Sequence, residues 1–175
     1  MIIFKQKILF TEQECDLILK KYIDTPINKI EDRDTMKYKS KDINYNVDKW
    51  IVDRFINWVE TELNIKIEII DSNTKDFEFY LQSYKAGDLF KKHNDSVYNR
   101  VYACGLLLNN TFKGGEFIVY TPNDEMMMFN NIIGNCYLFE TSLSHELTEI
   151  IEGNRSVVLI FFRNSQITFK RNKLL

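Results

Sequence analysis

The sequence predicts an α+β protein, with a helical part at residues 1–63 and a β-rich part at residues 65–163. Two helical patterns precede residue 64, and eight short apolar segments separated by turn residues follow it. Closely spaced short strands with no helical pattern between them are typical of a sandwich, barrel or jelly roll. Because 175 residues are too few for two full domains and 45% of them are hydrophobic, we expect one domain over residues 1–175 with a substantial core.

The first helix is predicted to begin after Thr11. In the segment Thr11–Glu14 a threonine precedes a glutamate by three residues, which is the spacing of a capping box. Pro26 ends the helix, because proline cannot continue it. The expected apolar face consists of Cys15, Leu17, Ile18 and Tyr22.

A second helix is predicted from Val47 to Leu63. Its apolar residues recur at helical spacing with charged residues between them; they are Trp50, Ile51, Phe55, Trp58, Val59 and Leu63. The segment 28–46 between the helices is crowded with charged side chains, which predicts a solvated loop. A loop of this length in a compact domain is often a functional lid.

Glycine, asparagine and proline separate the eight predicted strands. Gly114 and Gly115 are expected to form a tight hairpin turn. The predicted strands are Ile65–Ile70, Phe77–Tyr84, Arg100–Leu108, Phe117–Tyr120, Glu125–Phe129, Cys136–Phe139, Leu147–Ile151 and Ser156–Phe162.

The charge balance argues against nucleic-acid binding. The chain has 23 basic and 25 acidic residues, whereas binding to phosphates needs a basic excess or stripe. Lysines interrupt the apolar N-terminus, and no apolar run has the length of a signal peptide or membrane span, so we expect a soluble intracellular protein without a membrane partner. The abundance of Ile, Asn and Lys is typical of AT-rich coding, as in some viruses, phages and low-GC microbes; a viral protein would act in the host cytoplasm.

Cysteine chemistry is not supported by the sequence. The three cysteines are far apart and form no CxxC pair, so neither a zinc knuckle nor a disulfide framework is indicated. Cys104 and Cys136 lie within apolar strand patterns, where a small core residue is expected.

The chain has only two histidines, and both can face one metal ion. In an extended segment, His93 and Asp95 point to the same side. His145 follows between two predicted strands. Two histidines and one carboxylate form the facial triad of non-haem Fe(II) oxygenases. The His-x-Asp pair alone is a weak signal, since a surface histidine near an aspartate has the same pattern, but Arg155 follows the second histidine by ten residues at the head of an apolar run.

A longer string of residues around these positions resembles the prolyl 4-hydroxylase-like branch of the 2-oxoglutarate- and Fe(II)-dependent dioxygenases. The resemblance covers roughly residues 76–163 and, more weakly, the helix start at Leu9–Cys15. The matching residues are Tyr84, Gly87, Phe90, His93, Asp95, Arg100, Leu107–Asn109, Phe112, Gly114–Glu116, Gly134, Leu138, Phe139, His145, Gly153, Arg155 and Phe161.

The resemblance implies a double-stranded β-helix (jelly roll) core with supporting N-terminal helices. It implies that His93, Asp95 and His145 hold Fe(II) and that Arg155 binds the distal carboxylate of 2-oxoglutarate, for which a guanidinium offers a matching planar fork. Tyr84 would line the same pocket or be a half-buried strand tyrosine.

One position departs from the family. Some members carry a tyrosine where this chain has Leu107, and that tyrosine reaches the distal carboxylate beside the arginine. A regular strand here would present Ala103, Gly105 and Leu107 on one face and Tyr102 on the other. The second contact to 2-oxoglutarate is therefore left open.

The implied reaction consumes 2-oxoglutarate and O₂, yields succinate and CO₂, and hydroxylates an unactivated C–H bond, with ascorbate as an accessory reductant. The nearest resemblance is to peptidyl-proline hydroxylases, which implies a proline-containing peptide or protein as partner. In those enzymes a mobile segment covers the peptide, and here Arg33 and Tyr38 lie in the corresponding segment.

Two other functions stay open at this point. The same chemistry could act on another side chain, a free amino acid or a nucleobase, because loops determine the substrate. A non-catalytic jelly-roll binding protein is the alternative from a different class, and it would consume no 2-oxoglutarate.

Overall fold

The computed structural model describes residues 2–43, 45–69 and 78–169. Within them the chain forms two α-helices, α1 (Glu12–Tyr22) and α2 (Tyr45–Leu63), and a short 3-10 helix at Asn164–Gln166. The strands are β1 (Phe4–Ile8), β2 (Lys29–Arg33), β3 (Met36–Asp42), β4 (Ile65–Ile67), β5 (Glu78–Lys85), β6 (Phe90–His93), β7 (Arg100–Leu107), β8 (Phe112–Gly114), β9 (Phe117–Tyr120), β10 (Met126–Met128), β11 (Asn135–Glu140), β12 (His145–Leu147), β13 (Ile150–Arg163) and β14 (Ile167–Phe169).

Most of these strands form one antiparallel sheet that curls into a nearly closed barrel. Its order is β1-β11-β7-β13-β5-β3-β6-β12-β9-β10, with β2 added to β3 and β8 added to β13. The Gln6 amide links the two ends of this order, since its Nε2 donates to Met128 O at 2.9 Å and its Oε1 accepts from Asn130 N at 2.9 Å. The predicted jelly-roll core with supporting helices is confirmed.

Both faces of the central strands are buried, which explains their uninterrupted apolar sequences. On β7, Cys104 and Leu106 point outward into the core beneath the helices. Ala103 and Leu107 point inward into a second core inside the barrel. Tyr102 lies with the outer set, as the alternation predicts.

The capping box at the start of α1 is confirmed and also joins the two helices. Thr11 Oγ1 accepts a hydrogen bond from Glu14 N at 3.2 Å, and Glu14 Oε2 accepts one from Thr11 N at 2.9 Å. Arg54 of α2 donates to both carboxylate oxygens of Glu14, at 2.8 and 2.9 Å. The same carboxylate thus caps one helix and anchors the other.

The buried face of α1 is narrower than predicted. Cys15, Ile18 and Tyr22 are buried, but Leu17 is 64% exposed because it lies on the opposite side of the helix. Asp48 of α2 is buried beside this face, where its carboxylate accepts hydrogen bonds from Lys21 Nζ at 2.7 and 2.9 Å and from the Tyr22 hydroxyl.

The prediction of a loop at residues 28–46 is wrong. Strands β2 and β3 form a hairpin there, and β3 pairs with β5 from Lys39↔Ser83 to Asp42↔Tyr80. In β3 the charged side chains that suggested a loop alternate with the inward-facing Tyr38 and Ser40. They therefore lie on the solvent side of a strand. The N-terminal part, expected to be helical, therefore contributes β1, β2 and β3 to the sheet.

The strand boundaries around His145 also differ from the prediction. The predicted strand Leu147–Ile151 is divided between β12 and β13, and β13 is longer than the predicted Ser156–Phe162. Strands β1, β6, β8 and β14 were not predicted, because they are short or rich in lysine. Two predicted strand ends, Ile70 and Phe77, lie outside the described residues.

Gly114 and Gly115 do not form a hairpin turn, because β8 pairs with β13 and β9 pairs with β10 and β12. Both glycines have positive φ, 71° and 65°. A Cβ on Gly114 would lie 2.2 Å from Glu149 O. Glycine is therefore required here for close backbone approach.

No described helix combines the length and apolar character that crossing a membrane demands.

We predict that Glu14→Gln lowers the free energy of unfolding by about 1 kcal/mol at pH 7. Hydrogen bonds from Arg54 and from the Thr11 amide lower the pKa of Glu14 to about 2. A carboxylate with a lowered folded-state pKa stabilises fully above its unfolded pKa, and this contribution is lost as the pH falls toward 2. The difference between Glu14→Gln and the parent protein, measured by chemical denaturation, should therefore shrink between pH 5 and pH 2.

Glu12→Gln is the matched control, since Glu12 is exposed in the same helical turn. It should change stability much less at every pH. A Glu14→Gln deficit that stayed constant down to pH 2 would contradict the assignment.

Candidate metal and anion site

The inside of the barrel contains a cavity of about 890 Å³. This volume lies within the range of small-molecule sites, roughly 300–1,000 Å³. The exposed lining residues are Asn28, Lys29 and Asp42, so the cavity opens beside the β2–β3 hairpin. The wall residues with polar or ionisable groups include Tyr38, Gln82, Tyr84, His93, Asp95, Arg100, Tyr137, His145 and Arg155.

Strand pairing brings the two histidines together. His93 ends β6, His145 begins β12, and the two residues are direct partners in this antiparallel pair. Their ring centroids are 4.3 Å apart. Asp95 follows β6 by two residues, and its backbone N–H donates to Thr141 O at 2.9 Å, which holds the aspartate beside the pair.

The three side chains form a compact set of metal ligands. Asp95 Oδ1 lies 3.7 Å from His93 Nε2, and Asp95 Oδ2 lies 3.4 Å from His145 Nε2. The ligand atoms of all three residues lie within 4.8 Å of one another, so one ion can be shared among them. This is the ligand composition of a two-histidine, one-carboxylate site.

Backbone carbonyls set the tautomer of both rings. His93 Nδ1 lies 2.7 Å from Lys91 O, and His145 Nδ1 lies 3.1 Å from Leu143 O. A carbonyl can only accept, so Nδ1 carries the hydrogen and the Nε2 lone pair faces the cavity. His93 Nε2 is buried without a hydrogen-bond partner among the described residues, which fits a metal ligand.

The electrostatics favour the metal-binding protonation states. Burial lowers the pKa of His93, and the neighbouring His145 lowers it further. Burial raises the pKa of Asp95, but His145, His93 and Arg100 outweigh that effect, and the net shift is downward. A neutral imidazole and an ionised carboxylate are the forms that bind a cation.

Arg155 is a buried cation whose guanidinium has unpaired donors. It lies on β13 opposite Tyr84 and is only 1% exposed. Its Nε and Nη2 have no hydrogen-bond partner among the described residues. Burial lowers the pKa of Arg155, although Tyr137 and Tyr84 oppose this shift. Because a buried charge without a partner is costly, this end of the cavity is suited to an anion.

Tyr84 and Tyr38 are part of the cavity wall. The Tyr84 hydroxyl donates to Gln82 Oε1 at 2.7 Å, and its ring centroid lies 6.0 Å from Arg155 Cζ. Tyr38 is 7% exposed, with its ring centroid 5.9 Å from that of Tyr84. Both residues therefore line the cavity that holds the two histidines.

Arg33 does not line the cavity, contrary to its expected place in a lid over the substrate. It ends β2 with its side chain exposed, and its Nε donates to Glu31 Oε2 at 3.0 Å. Its position on a hairpin strand directs it along the surface, because the segment is paired and is not a long loop.

Two groups in the cavity were not given a role by sequence reasoning. Arg100 lies with Nη1 3.7 Å from Asp95 Oδ1, is paired with Glu78, and has Cζ 4.0 Å from the Phe161 ring centroid. Tyr137 projects inward from β11. The alternation on β11 could have identified Tyr137, because Cys136 and Leu138 belong to the outer core.

Solved structures of known proteins share this fold, whereas comparisons by sequence find no match. No protein-family model matches the chain, and no curated protein matches it by sequence. Among solved structures, a Pseudomonas putida prolyl-4-hydroxylase is similar with a TM-score of 0.73, 14% identity and 94% coverage of both chains.

Two further prolyl hydroxylases share the fold. One, from Trichoplax adhaerens, was solved with a peptide fragment of a hypoxia-inducible factor; it has a TM-score of 0.66 and 15% identity, covering 93% of this chain and 84% of its own. The other is the viral collagen prolyl hydroxylase of Paramecium bursaria Chlorella virus-1 in a 2-oxoglutarate complex, with a TM-score of 0.65 and 13% identity, covering 95% and 96%. The chain therefore has the fold that the resemblance implied.

We predict that His145→Ala weakens binding of Mn(II) or Co(II) more than about 100-fold, because loss of a direct ligand exceeds the 10- to 100-fold cost of losing an outer partner. Metal affinity can be measured by titration calorimetry, with circular dichroism to check the fold.

Glu146→Gln is the matched control. Glu146 is the next residue, but its carboxylate accepts a hydrogen bond from the Tyr120 hydroxyl and is not among the three ligands. Equal metal affinities for the two variants would contradict the ligand assignment.

Proposed function

We propose that the protein is a 2-oxoglutarate- and Fe(II)-dependent dioxygenase that hydroxylates an unactivated C–H bond, with peptidyl proline as substrate. The observation that carries the proposal is the presence of both halves of the site in one cavity. His93, Asp95 and His145 are arranged as metal ligands, and Arg155 offers an unpaired buried guanidinium to an anion.

The chemistry of the donors fits the proposed metal and cosubstrate. Fe(II) bound by the three side chains would supply oxidation chemistry in which 2-oxoglutarate and O₂ become succinate and CO₂ and one oxygen atom enters the substrate. Three protein ligands leave coordination positions open for other molecules.

The chain itself would orient the cosubstrate. Arg155 would hold the distal carboxylate with two parallel hydrogen bonds and so fix the direction of 2-oxoglutarate in the cavity. The side-chain exposure rises from 6% at His145 to 23% at His93, whereas Arg155 is 1% exposed. The cosubstrate would therefore occupy the deep end and the substrate would approach from the His93 side.

Aromatic side chains support a proline-containing substrate. Tyr38 and Phe90 lie with ring centroids 5.8 Å apart, and Tyr80 and Phe161 lie 6.2 Å apart, all in the cavity wall. Extended proline-containing peptides dock on aromatic grooves in several recognition modules. The structural neighbour from Trichoplax adhaerens was solved with a peptide, which agrees with this class of partner.

The proposal is tested by incubating the protein with Fe(II), 2-oxoglutarate, ascorbate and a panel of proline-containing peptides. We expect succinate release together with a mass gain of one oxygen atom (about 16 Da) on proline. Turnover only of free amino acids or nucleobases would reject the peptide substrate, and no 2-oxoglutarate consumption with any substrate would reject the oxygenase.

Arg155→Lys should raise the KM for 2-oxoglutarate at least about tenfold with a smaller effect on kcat, since a point charge replaces a bidentate fork. Lys113→Arg is a suitable control, because Lys113 is an exposed residue paired with Glu152 on the surface. An unchanged KM in Arg155→Lys would refute the anchor role.

A further inference from the structure

We infer that the Tyr137 hydroxyl is the second donor to the distal carboxylate of 2-oxoglutarate, beside Arg155, and that Gly105 provides the space for it. This inference rests on the proposed function and assigns a contact at the deep end of the same site.

A second donor is needed because the carboxylate would be buried there. Its two oxygens offer about four acceptor positions, of which a bidentate guanidinium fills two. The inward-facing residues of β7 are Ala103, Gly105 and Leu107, and none has a side-chain donor. The missing hydrogen bond must therefore come from another strand of the barrel.

Tyr137 is placed by the register of β11 on β7. It is the direct partner of Gly105, and its ring covers that glycine. A Cβ at position 105 would lie 2.1 Å from Tyr137 Cζ and 2.3 Å from its hydroxyl oxygen. Any larger residue would displace the phenol, so the glycine and the tyrosine are complementary.

Neighbouring rings hold the phenol in a fixed direction. Phe117 stacks on it with centroids 4.4 Å apart and an interplanar angle of 21°, and Phe129 meets it edge-on at 5.1 Å. The residue is 3% exposed. A donor whose orientation is set by packing loses little conformational entropy when a ligand binds.

Hydrogen bonding distinguishes Tyr137 from Tyr84. Both phenols raise the pKa of Arg155 against the larger effect of burial. The Tyr84 hydroxyl already donates to Gln82, whereas no hydrogen bond of the Tyr137 hydroxyl is found within the described residues. Burial raises the pKa of Tyr137, so its hydroxyl stays protonated and can donate.

The test measures equilibrium binding to the Mn(II)-loaded protein by calorimetry, using two ligands. 2-Oxoglutarate carries the distal carboxylate, and 2-oxopentanoate has a methyl group in its place. Tyr137→Phe should weaken 2-oxoglutarate binding roughly 10- to 100-fold, as expected for a lost hydrogen bond to a charged group, and change 2-oxopentanoate binding less than about twofold.

Two matched variants complete the experiment. Tyr102→Phe removes a hydroxyl from the outer face of β7 and should alter neither affinity. Tyr84→Phe tests the competing phenol and should weaken 2-oxoglutarate binding less than Tyr137→Phe does. Mn(II) affinity should be the same in all four proteins, which shows that the metal site is intact.

The outcomes separate this inference from the proposed function. If the parent protein binds Mn(II) and 2-oxoglutarate but Tyr137→Phe binds both ligands as the parent does, the inference fails and the function stands. Equal weakening of both ligands would also overturn it, since the hydroxyl would then act elsewhere. If the parent protein binds no 2-oxoglutarate in the presence of Mn(II), the proposed function itself fails.

Discussion

Strands β6 and β12 pair so that His93 and His145 lie directly opposite each other, and the rest of the site is arranged around that register. A shift of one residue would turn one imidazole to the other face of the sheet. The hydrogen bonds from the imidazoles to Lys91 O and Leu143 O then orient both rings. The metal site is thus a property of strand pairing as much as of the three side chains.

The barrel holds the metal ligands and the buried cation Arg155 at different depths. The His93 and Asp95 side chains are partly exposed, while Arg155 is buried, with the rings of Tyr84 and Phe112 each 6.0 Å from its Cζ. A charge enclosed in this way is strongly destabilising unless an anion joins it. Binding of a dicarboxylate would therefore stabilise the fold and define the direction of the ligand together.

Much of the fold was predictable because its signals are local. The capping box at Thr11 and the apolar strand β7 follow from short sequence patterns, and these predictions were confirmed. The β2–β3 hairpin was missed, because its charged residues hide an alternation that only pairing with β5 makes visible. Sequence could not reveal which strands are neighbours across the barrel.

In the candidate site, too, some residues could be predicted from local sequence and others depend on strand pairing. His93, Asp95, His145 and Arg155 could be proposed from sequence, since their residue types and a family resemblance single them out. The alternation on β11 places Tyr137 on the inner face, but its pairing with Gly105 could not be predicted, because that pairing depends on the register of two strands far apart in the chain. Arg33 was misplaced for a related reason, as its segment was taken for a loop.

The link between the two ends of the barrel has a consequence for biosynthesis. Strand β1 pairs with β11, from Phe4↔Phe139 to Ile8↔Asn135, and Gln6 forms hydrogen bonds with the backbone of Met128 at the end of β10 and of Asn130 just after it. During synthesis from the N-terminus, β1 has no partner in the sheet until the chain through β11 has left the ribosome. Until then this side of the sheet cannot close, and strand pairing between such distant parts of a chain slows folding.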